Sequence, residues 1–193
     1  MGHAAIVKGI KMKSTTIHKS FLLFLAVLLI PLANSYSEPE KSNKEKIYEI
    51  YKDYQKNFTE VKDINAAEAI KESNDGNVIF VDVRTEGEFS VSTLPKAVTK
   101  EDFLRDKELY KDKKIIAYCT IGYRSGLFTA EMEKAGITVY NLSAGILGWT
   151  HEGGKVYDSR GIVQRIHVYG KDWDYAPEGF ETMTFGLLEK IMN

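Results

Sequence analysis

The single cysteine of this 193-residue chain stands in Tyr118-Cys119-Thr120-Ile121-Gly122-Tyr123-Arg124-Ser125-Gly126. The apolar residues Ile115 to Tyr118 lead up to it and read as a buried strand. A helical pattern follows from Ser125 to Lys134. A thiol between a strand end and a helix start faces the unpaired N–H groups of the loop and first turn, and the positive end of the helix dipole. Both favour thiolate over thiol, and the thiolate is the nucleophile. A lone cysteine is commonly just a small buried hydrophobe. The polar loop around this one, and the arginine that follows it, favour chemistry.

Tyr-Cys-x-x-Gly-x-Arg-Ser resembles the active-site loop of the rhodanese (thiosulfate sulfurtransferase) family. The likeness extends to Val78-Ile79-Phe80-Val81-Asp82-Val83-Arg84-Thr85 with Glu88-Phe89, similar to the family's Asp-Val-Arg segment. It continues in Thr93-Leu94-Pro95-Lys96-Ala97, where the family usually has His-Ile-Pro-Gly-Ala, and in Ala144 to Trp149 with Gly153-Gly154-Lys155-Val156 near its end. The match runs from about Val61 to Tyr157. Thr93 and Lys96 depart from the pattern and bear on local turn geometry.

The resemblance implies a sulfurtransferase working through a covalent intermediate on Cys119. The thiolate attacks the outer sulfur of thiosulfate or a similar donor, and a persulfide remains. Thr120, Ile121, Gly122, Tyr123 and Arg124 form the substrate-binding loop. Its N–H groups meet an anionic sulfur without a metal. Gly122 lets the backbone curl tightly, Arg124 attracts the anionic donor, and Ser125 is expected to cap the following helix. Asp82 and Arg84 are expected to support the loop rather than move protons. Trp149 reads as core. The acceptor is a thiol, cyanide or a protein, because no second cysteine can resolve the persulfide internally. Two other readings share these features. One is a carrier or redox-sensing module that hands persulfide to a partner without free turnover. The other is a phosphatase or arsenate reductase with Cys, five residues, then Arg. Here the sixth position after Cys119 is Ser125 and Arg124 comes one early, which suits one sulfur atom better than a tetrahedral phosphate.

The elements that must position this loop are legible around it. Lys44 to Asn57 carries Ile47, Ile50, Tyr51 and Tyr54 at helical spacing. A short strand at Val61 to Ile64 precedes a helix opened by Asn65-x-x-Glu68. Val78 to Val83 is a near-continuous apolar run, as in a parallel strand buried on both faces. Thr85-x-x-Glu88 is a second capping box opening a short helix, Asp102 to Leu109 is helical, and Ile137 to Leu142 is a strand. Strands alternating with helices predict an α/β fold with a central parallel sheet and helices on both faces. Functional groups of such sheets gather beyond the carboxyl ends of the strands. Cys119 and Asp82 both fall there.

Residues 1–35 read as an export signal. Lysines occur without acids up to Lys19, an apolar run spans Phe21 to Leu32, and Ala33-Asn34-Ser35 offers small residues for cleavage. That run is short for a membrane span. The expectation is a periplasmic or secreted protein, with an uncleaved N-terminal anchor as the alternative. Residues 36–60 are then a linker and amphipathic helix, 61–158 the rhodanese-like domain, and 159–193 an extension. Tyr169, Trp173, Tyr175 and Phe180 punctuate that extension, and a helix is expected from Phe185 to Met192. It is expected to pack on the sheet edge or the first helix, with a lid over the cysteine loop as the lesser alternative. The formal net charge is −1 with acids and bases interspersed, so no basic footprint for nucleic acid is present. Four scattered histidines and one cysteine give no metal-ligand spacing, and the chemistry calls for no cofactor.

Overall fold

The computed structural model describes residues 40–74 and 76–186. The segment read as an export signal, and all but Phe185 and Gly186 of the expected C-terminal helix, lie outside these residues.

Helix α1 (Asn43–Gln55) opens on a reciprocal capping box between Ser42 and Glu45. Strand β1 (Asp63–Ile64) leads into α2 (Ala66–Ser73), whose first turn is capped by the Asn65 side chain accepting the Glu68 N–H. Strand β2 (Val78–Asp82) is followed by α3 (Glu86–Val91). Strand β3 (Val98–Thr99) runs into α4 (Lys100–Asp106), which tightens into a 3₁₀ turn at Lys107–Tyr110. Strand β4 (Lys114–Tyr118) ends at the cysteine loop, and α5 (Tyr123–Lys134) leaves it. Strand β5 (Tyr140–Leu142) precedes α6 (Gly145–His151).

The five strands form one parallel sheet in the order β1-β5-β4-β2-β3. Side chains of a strand alternate between faces, and the central strands show this sharply. Ile79, Val81, Ile115 and Ala117 pack against Phe103 of α4 and Phe128 and Met132 of α5. Phe80, Ile116 and Tyr118 pack on the other face with Ile47 and Tyr51 of α1, Ala66 and Ala69 of α2, and Ile146, Leu147 and Trp149 of α6. The expected parallel α/β sheet with helices on both faces is therefore the observed architecture. Trp149 is core: its ring meets Phe80 edge-on at 5.2 Å, and its indole N–H donates to the Lys155 carbonyl at 3.0 Å.

The helix after the cysteine starts at Tyr123, two residues earlier than the apolar pattern indicated. The strand expected from Ile137 is shorter, since pairing with β4 begins only at Tyr140. Lys96, where the resemblance has glycine, sits at φ 56 in the left-handed region, and the turn closes around it with the Ala97 N–H donating to Leu94 O.

Beyond residue 155 the chain forms two small ribbons. Strands β6 (Val156–Asp158) and β7 (Gly161–Val163) pair antiparallel, while β8 (Arg165–His167) pairs parallel with β9 (Glu181–Met183). A 3₁₀ turn at Lys171–Trp173 lies between β8 and β9. Asn43 of α1 donates its amide to the Ala176 carbonyl at 3.1 Å, and His151 of α6 meets the Tyr175 carbonyl at 2.7 Å.

Candidate active site around Cys119

Strand order reverses between β2 and β4, so their carboxyl ends open a crevice where α/β sheets place their sites. Asp82 and Tyr118 stand at register partners on this rim, and Cys119 follows directly. Asp82 and Arg84 are both buried. Arg84 Nε donates to Asp82 Oδ1 at 2.9 Å, and Nη2 donates to Oδ2 at 2.7 Å and to the Ser92 carbonyl at 2.6 Å. The Tyr118 hydroxyl donates to Asp82 Oδ2 at 2.5 Å and accepts the Leu94 N–H at 3.2 Å. Burial, and then the Asp82 carboxylate, push the Tyr118 phenol well above its ordinary value, keeping it a donor. Asp82 and Arg84 thus fix the strand end that carries Cys119 and tie it to the segment at 92–94. They act one step behind the loop, not on it.

Cys119 is 2% exposed, and its Sγ accepts the Gly122 N–H at 3.1 Å. Gly122 holds φ 92, and a Cβ there would lie 2.6 Å from the Tyr51 ring. Its carbonyl is held by the Asn141 amide at 3.2 Å, and Asn141 in turn donates to the Tyr51 hydroxyl at 2.9 Å. The start of α6 secures the other side of the loop. Ile146 N–H donates to the Cys119 carbonyl at 2.9 Å, and Leu147 N–H to the Thr120 carbonyl at 3.2 Å. A trans peptide sets its N–H opposite its C=O. The N–H groups of Thr120 and Ile121 therefore point away from α6. Gly145 permits this close approach: at φ 56, a Cβ there would sit 2.3 Å from the Cys119 carbonyl oxygen.

Ser125 does not cap α5, contrary to the expectation. Gly122 occupies the cap position without a side-chain cap, and Ser125 lies buried in the first turn, its Oγ without a partner among the described residues. The first N–H groups of α5 therefore stay available at the end of the loop that holds the sulfur.

Arg124 is not the free cation its place in the loop suggested. Its Nη2 donates to Glu88 Oε1 at 2.6 Å and its Nη1 to Oε2 at 2.8 Å. Glu88 is fully buried. It also accepts from the Thr120 hydroxyl at 3.1 Å and closes a reciprocal capping box with Thr85. Burial alone would raise the Glu88 carboxyl, but the bonds and charge of Arg124 and the Thr85 N–H hold it down at about 2. The sequence marked Glu88 only as a helix opener. The same carboxylate spans three jobs: cap of α3, partner of Arg124 and acceptor from Thr120.

A cavity of about 210 Å³ opens over the sulfur. The loop contributes Cys119, Thr120, Ile121, Tyr123 and Arg124 to its walls, while Gly122, expected among them, bonds the sulfur through its N–H without lining the cavity. Ile121 is mostly engaged in the core and only 5% exposed. The remaining walls are Tyr54 from α1, which the sequence did not place here, and Tyr169 and Trp173 from the extension, whose lesser expected role was to cover this loop. The Tyr54 and Tyr123 rings meet at 4.9 Å, and the Arg124 guanidinium lies 5.3 Å over the Tyr169 ring. The aromatic spacing in the extension was visible in the sequence, but not which of its rings would face the cysteine.

Residues 65–152 match the model of the rhodanese-like domain. A sulfurtransferase of Allochromatium vinosum is 33% identical over 81 residues, spanning 40% of this chain and 76% of that protein. A tRNA uridine(34) hydroxylase of Buchnera aphidicola is 36% identical over 139 residues, 59% of this chain and 45% of that protein. The chain spans less than half the length of the tRNA uridine(34) hydroxylases it matches. Among solved structures, a thiosulfate sulfurtransferase from Pseudomonas aeruginosa aligns with a TM-score of 0.50 at 21% identity, covering 62% of this chain and 24% of that one, a likeness of fold.

Proposed function

This chain belongs to the rhodanese-like family, and we propose that it is a sulfurtransferase that carries sulfane sulfur on Cys119. The observation that carries the reading is the Cys119 sulfur on the cavity wall, accepting the Gly122 N–H at 3.1 Å from a loop clamped on its far side by α6. The Cys119 thiolate attacks the outer sulfur of a small donor such as thiosulfate. A new S–S bond forms, the donor's S–S bond breaks, and its electron pair leaves with sulfite. The persulfide's terminal negative charge lies among the N–H groups of the loop and the start of α5. A thiol or cyanide then takes that outer sulfur, and the Cys119 thiolate returns. A protein acceptor fits the same step, and with it the carrier role. The two-pronged pairing of Arg124 with Glu88 removes the cation a phosphatase would need for its tetrahedral anion.

The test is intact mass after incubation with thiosulfate and removal of the donor. The wild type gains one sulfur, about 32 Da, and loses it to cyanide, as a covalent intermediate requires. Cys119→Ser gains nothing. A wild type that gains no mass, or a serine variant that still turns over, ends this reading.

The names of several relatives support a second reading, action on uridine 34 of a tRNA. Hydroxylated uridine 34 in tRNA incubated with the purified chain and dioxygen as the oxidant would favour it over sulfur transfer to small acceptors.

The lysines, apolar run and small residues of residues 1–35 support export to the periplasm or outside the cell. Mass spectrometry of the mature protein is expected to find its start near Ser35. Residues before Phe21 retained in a soluble product would contradict export, and retention in the membrane fraction would identify the anchor instead.

A further inference from the structure

We propose that the segments flanking the family region make this cavity selective for sulfane sulfur carried on an apolar organic group, an aryl group above all, over a bare inorganic anion. The proposal rests on the sulfur-transfer reading of Cys119 and names its substrate class.

The walls come first. Tyr54, Tyr169 and Trp173 all lie outside residues 65–152, yet they enclose the sulfur together with Tyr123. Trp173 meets the Tyr169 ring edge-on at 5.9 Å. Tyr169 is held at φ 64, a left-handed conformation that a bulky residue adopts only when its surroundings impose it. Here the Tyr169 N–H donates to His167 Nδ1 at 3.1 Å, and its ring is edge-on to Phe185 at 5.9 Å. The strained residue is the one whose ring faces Arg124.

Charge comes second. Arg124 is the one charged side chain lining the cavity among the described residues, and both prongs of its guanidinium are engaged by Glu88. The pair is formally neutral. A dianion entering this space would shed water without meeting an unpaired cation, which is unfavourable. A cationic substrate is disfavoured too, since Arg124 already covers the Tyr169 face that would attract it. What remains is an apolar group with the reacting sulfur at its end.

Size comes third. Apolar cavities of about 150 Å³ accept a benzene ring, and this one measures about 210 Å³. With an aryl thiosulfonate, the Cys119 thiolate bonds to the outer sulfur. The bond between that sulfur and the sulfonyl sulfur breaks, and its electron pair departs with the arylsulfinate. Cyanide then removes the outer sulfur as thiocyanate and restores the thiolate.

The full chain is assayed with benzenethiosulfonate, methanethiosulfonate and thiosulfate, cyanide being the acceptor and each rate normalised to that of a free thiol. The phenyl donor is expected to exceed the methyl donor in kcat/KM by about tenfold or more, as burial of a ring against aromatic walls gives, with thiosulfate lowest. Trp173→Ala is expected to reduce the phenyl-to-methyl ratio several-fold, while Trp173→Phe, which keeps a ring, preserves it. A ratio near one in the wild type, or a ratio unmoved in Trp173→Ala, overturns the selectivity and leaves sulfur transfer standing. If none of the three donors adds mass to Cys119, sulfur transfer itself falls, and the selectivity with it.

Discussion

Arg124 and Glu88, 36 residues apart, form a two-pronged ion pair at the rim of the cysteine cavity, with N–O distances of 2.6 and 2.8 Å. The carboxylate is fully buried, while the guanidinium side chain keeps 32% of its surface exposed. One member comes from the cysteine loop and the other from the capping box of α3. The pair therefore fastens the loop to the segment that follows β2. Removing one partner of a buried pair leaves a stranded charge, so Arg124→Ala is expected to lose roughly 2–4 kcal/mol of stability. Glu88→Gln alone should lose less, since the amide keeps part of the bonding. The double variant should lose clearly less than the sum of the two, as coupled residues do. Denaturant unfolding of the three variants measures this. Strict additivity would show that the two side chains act independently.

Acid should dissolve the same link. The Glu88 carboxyl is lowered from 4.5 to about 2 in the folded chain. Its stabilisation is therefore fully present above about pH 4.5 and is lost as pH falls through that value toward pH 2. The shift corresponds to about 3 kcal/mol at full expression. Unfolding free energy measured across this window should fall more steeply in the wild type than in Glu88→Gln, where that group no longer titrates. Parallel curves would show that Glu88 is not the responsible group.

Gly145 is expected to tolerate no side chain. A Cβ would stand 2.3 Å from the Cys119 carbonyl oxygen and 2.8 Å from the Ile121 nitrogen, both backbone atoms that cannot swing aside. The left-handed φ of 56° adds strain of about 1–2 kcal/mol for any L residue. Gly145→Ala should lose at least that much stability. It should also slow sulfur loading of Cys119 by displacing the loop whose carbonyls α6 holds. Normal loading in a stably folded alanine variant would show that α6 does not set the loop.

The sequence by itself determined the parallel sheet and the place of the cysteine loop at the end of a central strand. Apolar runs of strand length at Val78 and Ile115, capping boxes at fixed offsets and one cysteine between a strand and a helix are local patterns. Local patterns are what backbone geometry and side-chain periodicity write into a chain. The partners of that loop were decided only by the tertiary structure. Ser125 was read as a cap because its type suits one, yet the helix starts two residues earlier and buries it. Arg124 was read as the cation that attracts an anionic donor, while the β2-to-β4 pairing brings Glu88 to it as a partner. Tyr54, Tyr169 and Trp173 lie well over forty residues from Cys119 along the chain and surround it only after folding. Which charges are neutralised and which rings wall the cavity depend on contacts distant in sequence. No periodicity or spacing encodes those.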